Sequence, residues 1–231
     1  MKTIGMIGGM SWESTVSYYQ AINQGVKHEL GGLHSAKIAL YSVDFAEIER
    51  LQHLGEWGKT AEILAEAARS VEAAGADFFM ICTNTMHKVA EKMEHAVEIP
   101  LLHIADATAH KLIADGVKTV GLLGTQFTME QDFYKGRLIE KYGIEVLTPD
   151  LEDREVVHRV IYEELCLGKV EPQSRQSYLK IIESLYVQGA QAVILGCTEI
   201  ALLVNQQDTQ VPLYDTTAIH SEAAVTFSLG K

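Results

Sequence analysis

Cysteine, proline and basic side chains are all scarce in this chain. Among 231 residues there are three cysteines and four prolines, and 19 Lys and Arg stand against 31 Asp and Glu. Cys82, Cys166 and Cys197 are too few and too scattered for a disulfide framework, so free thiols and a cytoplasmic protein are expected. The net charge of −12 and the pI of about 5.2 repel phosphate backbones, which argues against a nucleic-acid partner. No apolar run approaches the ~20 residues of a membrane helix. The short apolar stretch after Met1 runs into Ser11-Trp12-Glu13-Ser14, too soon for a signal peptide. Nine histidines include no H-E-x-x-H pair, so no metal site is expected. Gly5, Gly8 and Gly9 lack the spacing of a dinucleotide-binding loop, and neither a P-loop nor a lysine-based cofactor motif is present.

What is present is a hydrophobic fraction of 47%, enough for one large core or two small ones. Short apolar runs alternate with longer amphipathic ones, the pattern of βα units around parallel sheets. It predicts strands over 3–8, 37–43, 78–83, 100–104, 119–124, 144–148, 192–197 and 211–215. Between them, Ile63, Ala67, Val71 and Ala74 share one helical face and Gly75 follows as a stop.

An internal repeat organises the chain. Lys2-Thr3-Ile4-Gly5-Met6-Ile7-Gly8 matches Lys118-Thr119-Val120-Gly121-Leu122-Leu123-Gly124 at an offset of 116 residues, shared by Tyr18 and Tyr134. Ser42-Val43-Asp44 resembles Thr148-Pro149-Asp150, Gly75-Ala76 matches Gly189-Ala190, and Pro100-Leu101 matches Pro212-Leu213. The expected fold is α/β: two pseudo-symmetric subdomains with parallel four-stranded sheets, residues 1–98 and 99–208, and a segment 209–231 returning to the first. Ligands of open α/β sheets sit beyond the carboxyl ends of the strands, so the expected active site is a cleft lined by both halves.

At those strand ends stand Cys82-Thr83-Asn84-Thr85-Met86-His87 and Gly196-Cys197-Thr198-Glu199. Anchoring on the Gly-Ala pairs matches Thr83 with Cys197, and strand alternation turns Cys82 to the packed face. Thr198 is expected to cap the following helix, whose dipole would lower the Cys197 thiol below its usual ~8.5. Cys166 falls in the helical run Val157–Leu167 and reads as packing. Gly8-Gly9-Met10-Ser11 and Gly124-Thr125-Gln126-Phe127-Thr128 each leave a strand and open a helix, where backbone N–H groups can cradle an anion. Asn84 and Thr85 suit helix caps as well as ligand contacts. His87 and His95, eight apart, read as packed or solvated residues of one helix face.

Taken together, Gly8-Gly9-Met10-Ser11-Trp12-Glu13-Ser14-Thr15, Ser42-Val43-Asp44-Phe45, Asn84-Thr85-Met86-His87 and Gly196-Cys197-Thr198-Glu199 resemble the aspartate/glutamate racemase family along essentially the whole chain. The resemblance implies two α/β subdomains, an amino-acid substrate, a homodimer and no cofactor. It implies two cysteines, one per half, acting on opposite sides of the substrate Cα. Here the usual Cys-Asn-Thr is Thr83-Asn84-Thr85, so the catalytic pair becomes Thr83 and Cys197. Asn84, Thr85, Thr198 and Glu199 are implied substrate contacts, with Met10, Gln52, Thr125 and Thr128 beside them. By the same resemblance Cys197 deprotonates L-substrates and Thr83 assists reprotonation from the other face. No cationic clamp for a distal carboxylate stands out, so neutral polar amino acids such as homoserine join aspartate and glutamate as expected substrates. Two rivals remain: a single-cysteine decarboxylase of substituted malonates on the same fold, and a non-catalytic small-molecule binder.

Overall fold

The alternation of apolar strands and amphipathic helices builds two α/β units in the structure, a computed structural model that describes residues 1–231. The first unit comprises Met1–Ile104 and His220–Lys231, the second Ala105–Ile219.

The first unit runs β1 (Ile4–Gly8), α1 (Trp12–Leu30), β2 (Ile38–Ser42), α2 (Phe45–His53), α3 (Trp57–Ala73), β3 (Phe78–Ile81), a 3-10 turn (Thr85–Val89) and α4 (Ala90–Glu94). Its parallel sheet has the order β2-β1-β3, with Ile4 level with both Ile38 and Phe78. All residues of β1 and β3 are buried, as in a parallel sheet covered on both faces. Side chains alternate between two cores. Ile4, Met6, Phe78, Met80 and Cys82 pack with Tyr18, Ile22 and Val26 of α1. Ile7, Phe79 and Ile81 pack instead with Leu64, Ala68 and Val71 of α3. The buried stripe of α3 thus runs through Ala61, Leu64, Ala67, Ala68 and Val71, with Ala74 exposed beyond the helix end.

The fourth strand expected over 100–104 does not form, and the first sheet has three strands. Leu101 makes a single bridge to Phe79, the Phe79 N–H donating to Pro100 O and the Leu102 N–H to Phe79 O. Pro100 offers no N–H to lengthen the ladder, and the chain turns into a helix at Ile104.

From there run α5 (Ile104–Ala114), β4 (Thr119–Gly124), α6 (Gln126–Glu130), α7 (Asp132–Tyr142), β5 (Glu145–Leu147), α8 (Leu151–Glu163), a 3-10 turn (Leu165–Leu167), α9 (Pro172–Val187), β6 (Ala192–Gly196), α10 (Ile200–Leu203), a 3-10 turn (Gln206–Asp208), β7 (Leu213–Asp215) and α11 (Thr216–Leu229). The second sheet is parallel with the order β5-β4-β6-β7. Leu123, Val193, Leu195 and Cys197 share a core with Val157, Val160 and Ile161 of α8 and Tyr178, Ile182 and Leu185 of α9. Cys166 lies in the short 3-10 helix that follows α8, beyond the end of α8 itself.

The sequence repeat reappears as repeated hydrogen bonding. Asp44 caps α2 by accepting from the Ala46 N–H, and Asp150 caps α8 by accepting from the Asp153 N–H. The Asp77 carboxylate accepts from the Thr3 N–H at 2.6 Å, and the Gln191 amide oxygen accepts from the Thr119 N–H at 3.1 Å. Phe79 N–H donates to Pro100 O at 3.0 Å, as Val193 N–H donates to Pro212 O at 2.8 Å.

Candidate active site

Sheet register decides which residues leave β3 and β6 at equivalent points. Ile81 pairs with Ile7 in the first sheet and Leu195 pairs with Leu123 in the second. Two residues further, Thr83 and Cys197 occupy the same position of their units. Cys82 has the opposite parity. It is fully buried among Ile4, Met6, Phe78 and Met80, and burial pushes its thiol far above the ordinary cysteine range. A protonated thiol sealed in a core has no path to a ligand.

In the first unit the structure brings several of the expected residues together at the carboxyl ends of β1 and β3. Met10 and Met86 belong to one core cluster, and the buried Gln52 amide donates to the Met86 sulfur at 3.6 Å. Asn84 and Thr85 are buried and Thr83 is half-buried. The Asn84 side chain makes no capping bond to the 3-10 turn that follows it. The glycine turn after β1 has a steric cause. Gly9 has φ +90°, and a Cβ there would stand 2.3 Å from the Val43 carbonyl oxygen. Its N–H is committed to Thr15 Oγ1 at 2.8 Å, so the anion cradle expected of this turn lacks that donor.

His87 organises the same turn. It lies on the 3-10 turn, whereas His95 ends α4, so the two do not share one helix face. His87 Nε2 accepts from the Ile104 N–H at 3.2 Å, which leaves Nδ1 as the protonated nitrogen, donating to the Thr83 carbonyl at 2.9 Å. The His103 ring centroid lies 4.4 Å away and that of His220 6.2 Å away. His220 Nε2–H donates to Leu102 O and its Nδ1 faces the Tyr18 hydroxyl at 3.0 Å. Burial lowers both His87 and His220, the latter to about 4, so the imidazoles are neutral. Nothing in the sequence singles out His103 or His220. They are remote from His87 in the chain and carry no local motif. No group of three or more His, Cys, Asp or Glu is arranged to hold a metal ion.

In the second unit, Thr125 caps α6 by accepting from the Thr128 N–H at 3.3 Å, and the two hydroxyls lie 3.2 Å apart. Gly124 permits the strand ends to close up, since a Cβ there would stand 2.9 Å from the Gly196 carbonyl oxygen. Cys197 is 8% exposed. The expected thiol environment is overturned. The helix after it, α10, has only four residues and takes Glu199, not Thr198, as its N-cap residue, without a side-chain cap bond. So short a helix supplies little dipole. Thr198 Oγ1 donates instead to Glu199 Oε2 at 2.8 Å, and the Cys197 thiol donates to the same oxygen at 3.0 Å. Burial first, and the Glu199 carboxylate second, push the Cys197 thiol well above its ordinary range.

With this geometry in place, the Asp/Glu/Hydantoin racemase model matches residues 7–224, and the chain belongs to that family. It is therefore an isomerase of the amino-acid racemase type. Among its relatives is the broad-specificity amino-acid racemase RacX of Bacillus subtilis, 24% identical over 234 residues covering 96% of each chain. A Yersinia pestis structure described as a candidate Asp/Glu racemase is 60% identical, with a TM-score of 0.93 over 99% of this chain and 100% of that one. An aspartate racemase homologue from Pyrococcus horikoshii is 34% identical, with a TM-score of 0.84 over 99% and 100% of the two chains. No helix is long and apolar enough to cross a membrane.

Proposed function

We propose that this racemase interconverts L- and D-amino acids without a cofactor, using Cys197 as the base toward the L-enantiomer and Thr83 on the opposite face of Cα. What carries the reading is the sheet register: Ile81 beside Ile7 and Leu195 beside Leu123 make Thr83 and Cys197 the equivalent residues of a repeated unit. A thiolate at Cys197 removes the α-proton, hydroxyl and amide donors hold the carbanion, and a proton returns from the other side. A threonine hydroxyl is a poor base, so Thr83 donates or relays a proton, directly or through water. Asn84, Thr85, Thr198, Thr125 and Thr128 are assigned to the substrate's carboxylate and amino groups, with Met10 and Gln52 shaping the side-chain pocket.

The substrates proposed are aspartate and glutamate together with neutral polar amino acids such as homoserine. The broad specificity of the Bacillus subtilis relative supports the wider range. The enzyme is assigned to the cytoplasm as a homodimer, which light scattering in solution tests directly.

The deciding experiment is an L-amino-acid panel incubated in deuterated water, followed by chiral analysis and proton NMR. Solvent deuterium at Cα with inversion supports the reading. Carbon dioxide released from substituted malonates, with no exchange on amino acids, replaces racemisation by decarboxylation. Neither reaction leaves a binding protein. Full activity after hydroxylamine treatment, which removes pyridoxal phosphate, tests the absence of a cofactor.

A further inference from the structure

One oxygen atom in the second unit receives two side chains. Glu199 Oε2 accepts from Cys197 Sγ at 3.0 Å and from Thr198 Oγ1 at 2.8 Å, and Glu199 is only 3% exposed. The family resemblance places Glu199 among the substrate contacts; its geometry turns this carboxylate oxygen to the thiol. Losing the thiol proton to bulk water would set a second anion beside a buried carboxylate, at high electrostatic cost. Moving that proton along the existing hydrogen bond avoids the cost, because the pair carries one negative charge before and after.

We propose, building on Cys197 as the L-face base, that Glu199 is a catalytic residue that takes the Cys197 thiol proton through the Sγ–Oε2 hydrogen bond. The S–H bond breaks and an O–H bond forms on Oε2, leaving a thiolate beside a carboxylic acid. The thiolate then forms a new S–H bond with the α-proton of the L-substrate, and the C–H electron pair stays on Cα. Glu199 releases its proton to solvent water to reset the pair. Thr198 acts as a positioning residue, since its hydroxyl holds the same oxygen that faces the thiol. This also accounts for how a thiol pushed up by burial serves as a base at neutral pH.

The test uses the full chain with Cys82→Ala and Cys166→Ala, so that Cys197 is the sole thiol, and follows its alkylation by iodoacetamide from pH 5 to 9. Internal transfer predicts a rate plateau at neutral pH, because forming the thiolate there releases no proton to solvent. Glu199→Gln is expected to abolish the plateau, with the rate then rising tenfold per pH unit. Turnover of L-substrate should fall about 10²-fold or more with KM within about threefold. A Glu199→Gln profile that keeps its shape and shifts to lower pH overturns the proposal, since it reports only a removed neighbouring charge. A raised KM with unchanged kcat overturns it too, as the mark of a substrate contact. If Glu199→Gln does not fold, Glu199→Asp carries the same test: drawing the oxygen back by one methylene should lower the plateau at least tenfold, and an unchanged plateau overturns the role. Failure of the underlying reading is seen separately, as turnover that survives Cys197→Ser.

Discussion

The protonated Nδ1 of His87 donates to the carbonyl oxygen of Thr83 at 2.9 Å, so an imidazole four residues on holds the backbone of the proposed proton-transfer residue. The other ring nitrogen accepts from Ile104, the first residue of α5. His87→Phe removes both bonds within a buried site. It is expected to destabilise the protein by about 1–3 kcal/mol, read from urea unfolding, and to slow inversion more than substrate binding.

Acid should weaken the fold through the same histidines. His87 and His220 are lowered by burial, so below their unfolded value of about 6.5 the unfolded chain takes protons that the folded chain refuses. Their stabilisation is complete above that pH and is lost as pH falls toward the folded values. With His220 at about 4, it alone accounts for a loss of about 2 kcal/mol by pH 5. Urea midpoints at pH 7.5, 6 and 5 measure the slope. His220→Gln, whose amide can still bond Leu102 and Tyr18, should flatten it.

The two strand-end thiols should behave in opposite ways. Cys197→Ser is expected to cut turnover by about 10²–10⁴-fold with the fold intact by circular dichroism. Cys82→Ala, a deletion from a packed core, should cost on the order of 1 kcal/mol or somewhat more in stability and leave turnover largely unchanged. Equal damage from the two would reverse the register drawn for the first unit.

Thr83 should make catalysis uneven. No enzyme alters the equilibrium between enantiomers, so the asymmetry appears in kcat and KM for each direction. Proton NMR in deuterated water should show L-substrate exchanging its α-proton faster than D-substrate. Thr83→Cys should raise the D-to-L rate by adding a second ionisable base, and Thr83→Ala should impair inversion more than same-face exchange. Equal exchange of both enantiomers by the wild type, with Thr83→Ala inert, would reduce Thr83 to a structural turn residue.

Much of the architecture was legible because it is written locally and twice. The continuous apolar runs of β1, β3 and β6, the matched segments ending in Asp44 and Asp150, and the matched Gly-Ala turns depend on neighbours a few residues apart, which the repeat makes visible. Cys82 could be set aside from strand parity alone, and its place in the core agrees. Other features depend on partners the chain brings from afar. Residues 100–104 carry a strand pattern identical in kind to that of β7, yet Ile104 starts a helix whose first N–H is met by His87 from another element. Likewise, Cys197-Thr198 before an apolar run reads as a capped helix and an acidified thiol. Tertiary packing decided otherwise: it cut that helix to a single turn, buried the thiol, and set a carboxylate against it, reversing the sign of its shift. The sequence alone determined the repeat and which residues stand at the strand ends, because period and spacing are local. Only the tertiary structure decided their ionisation, because charge and solvent act through space.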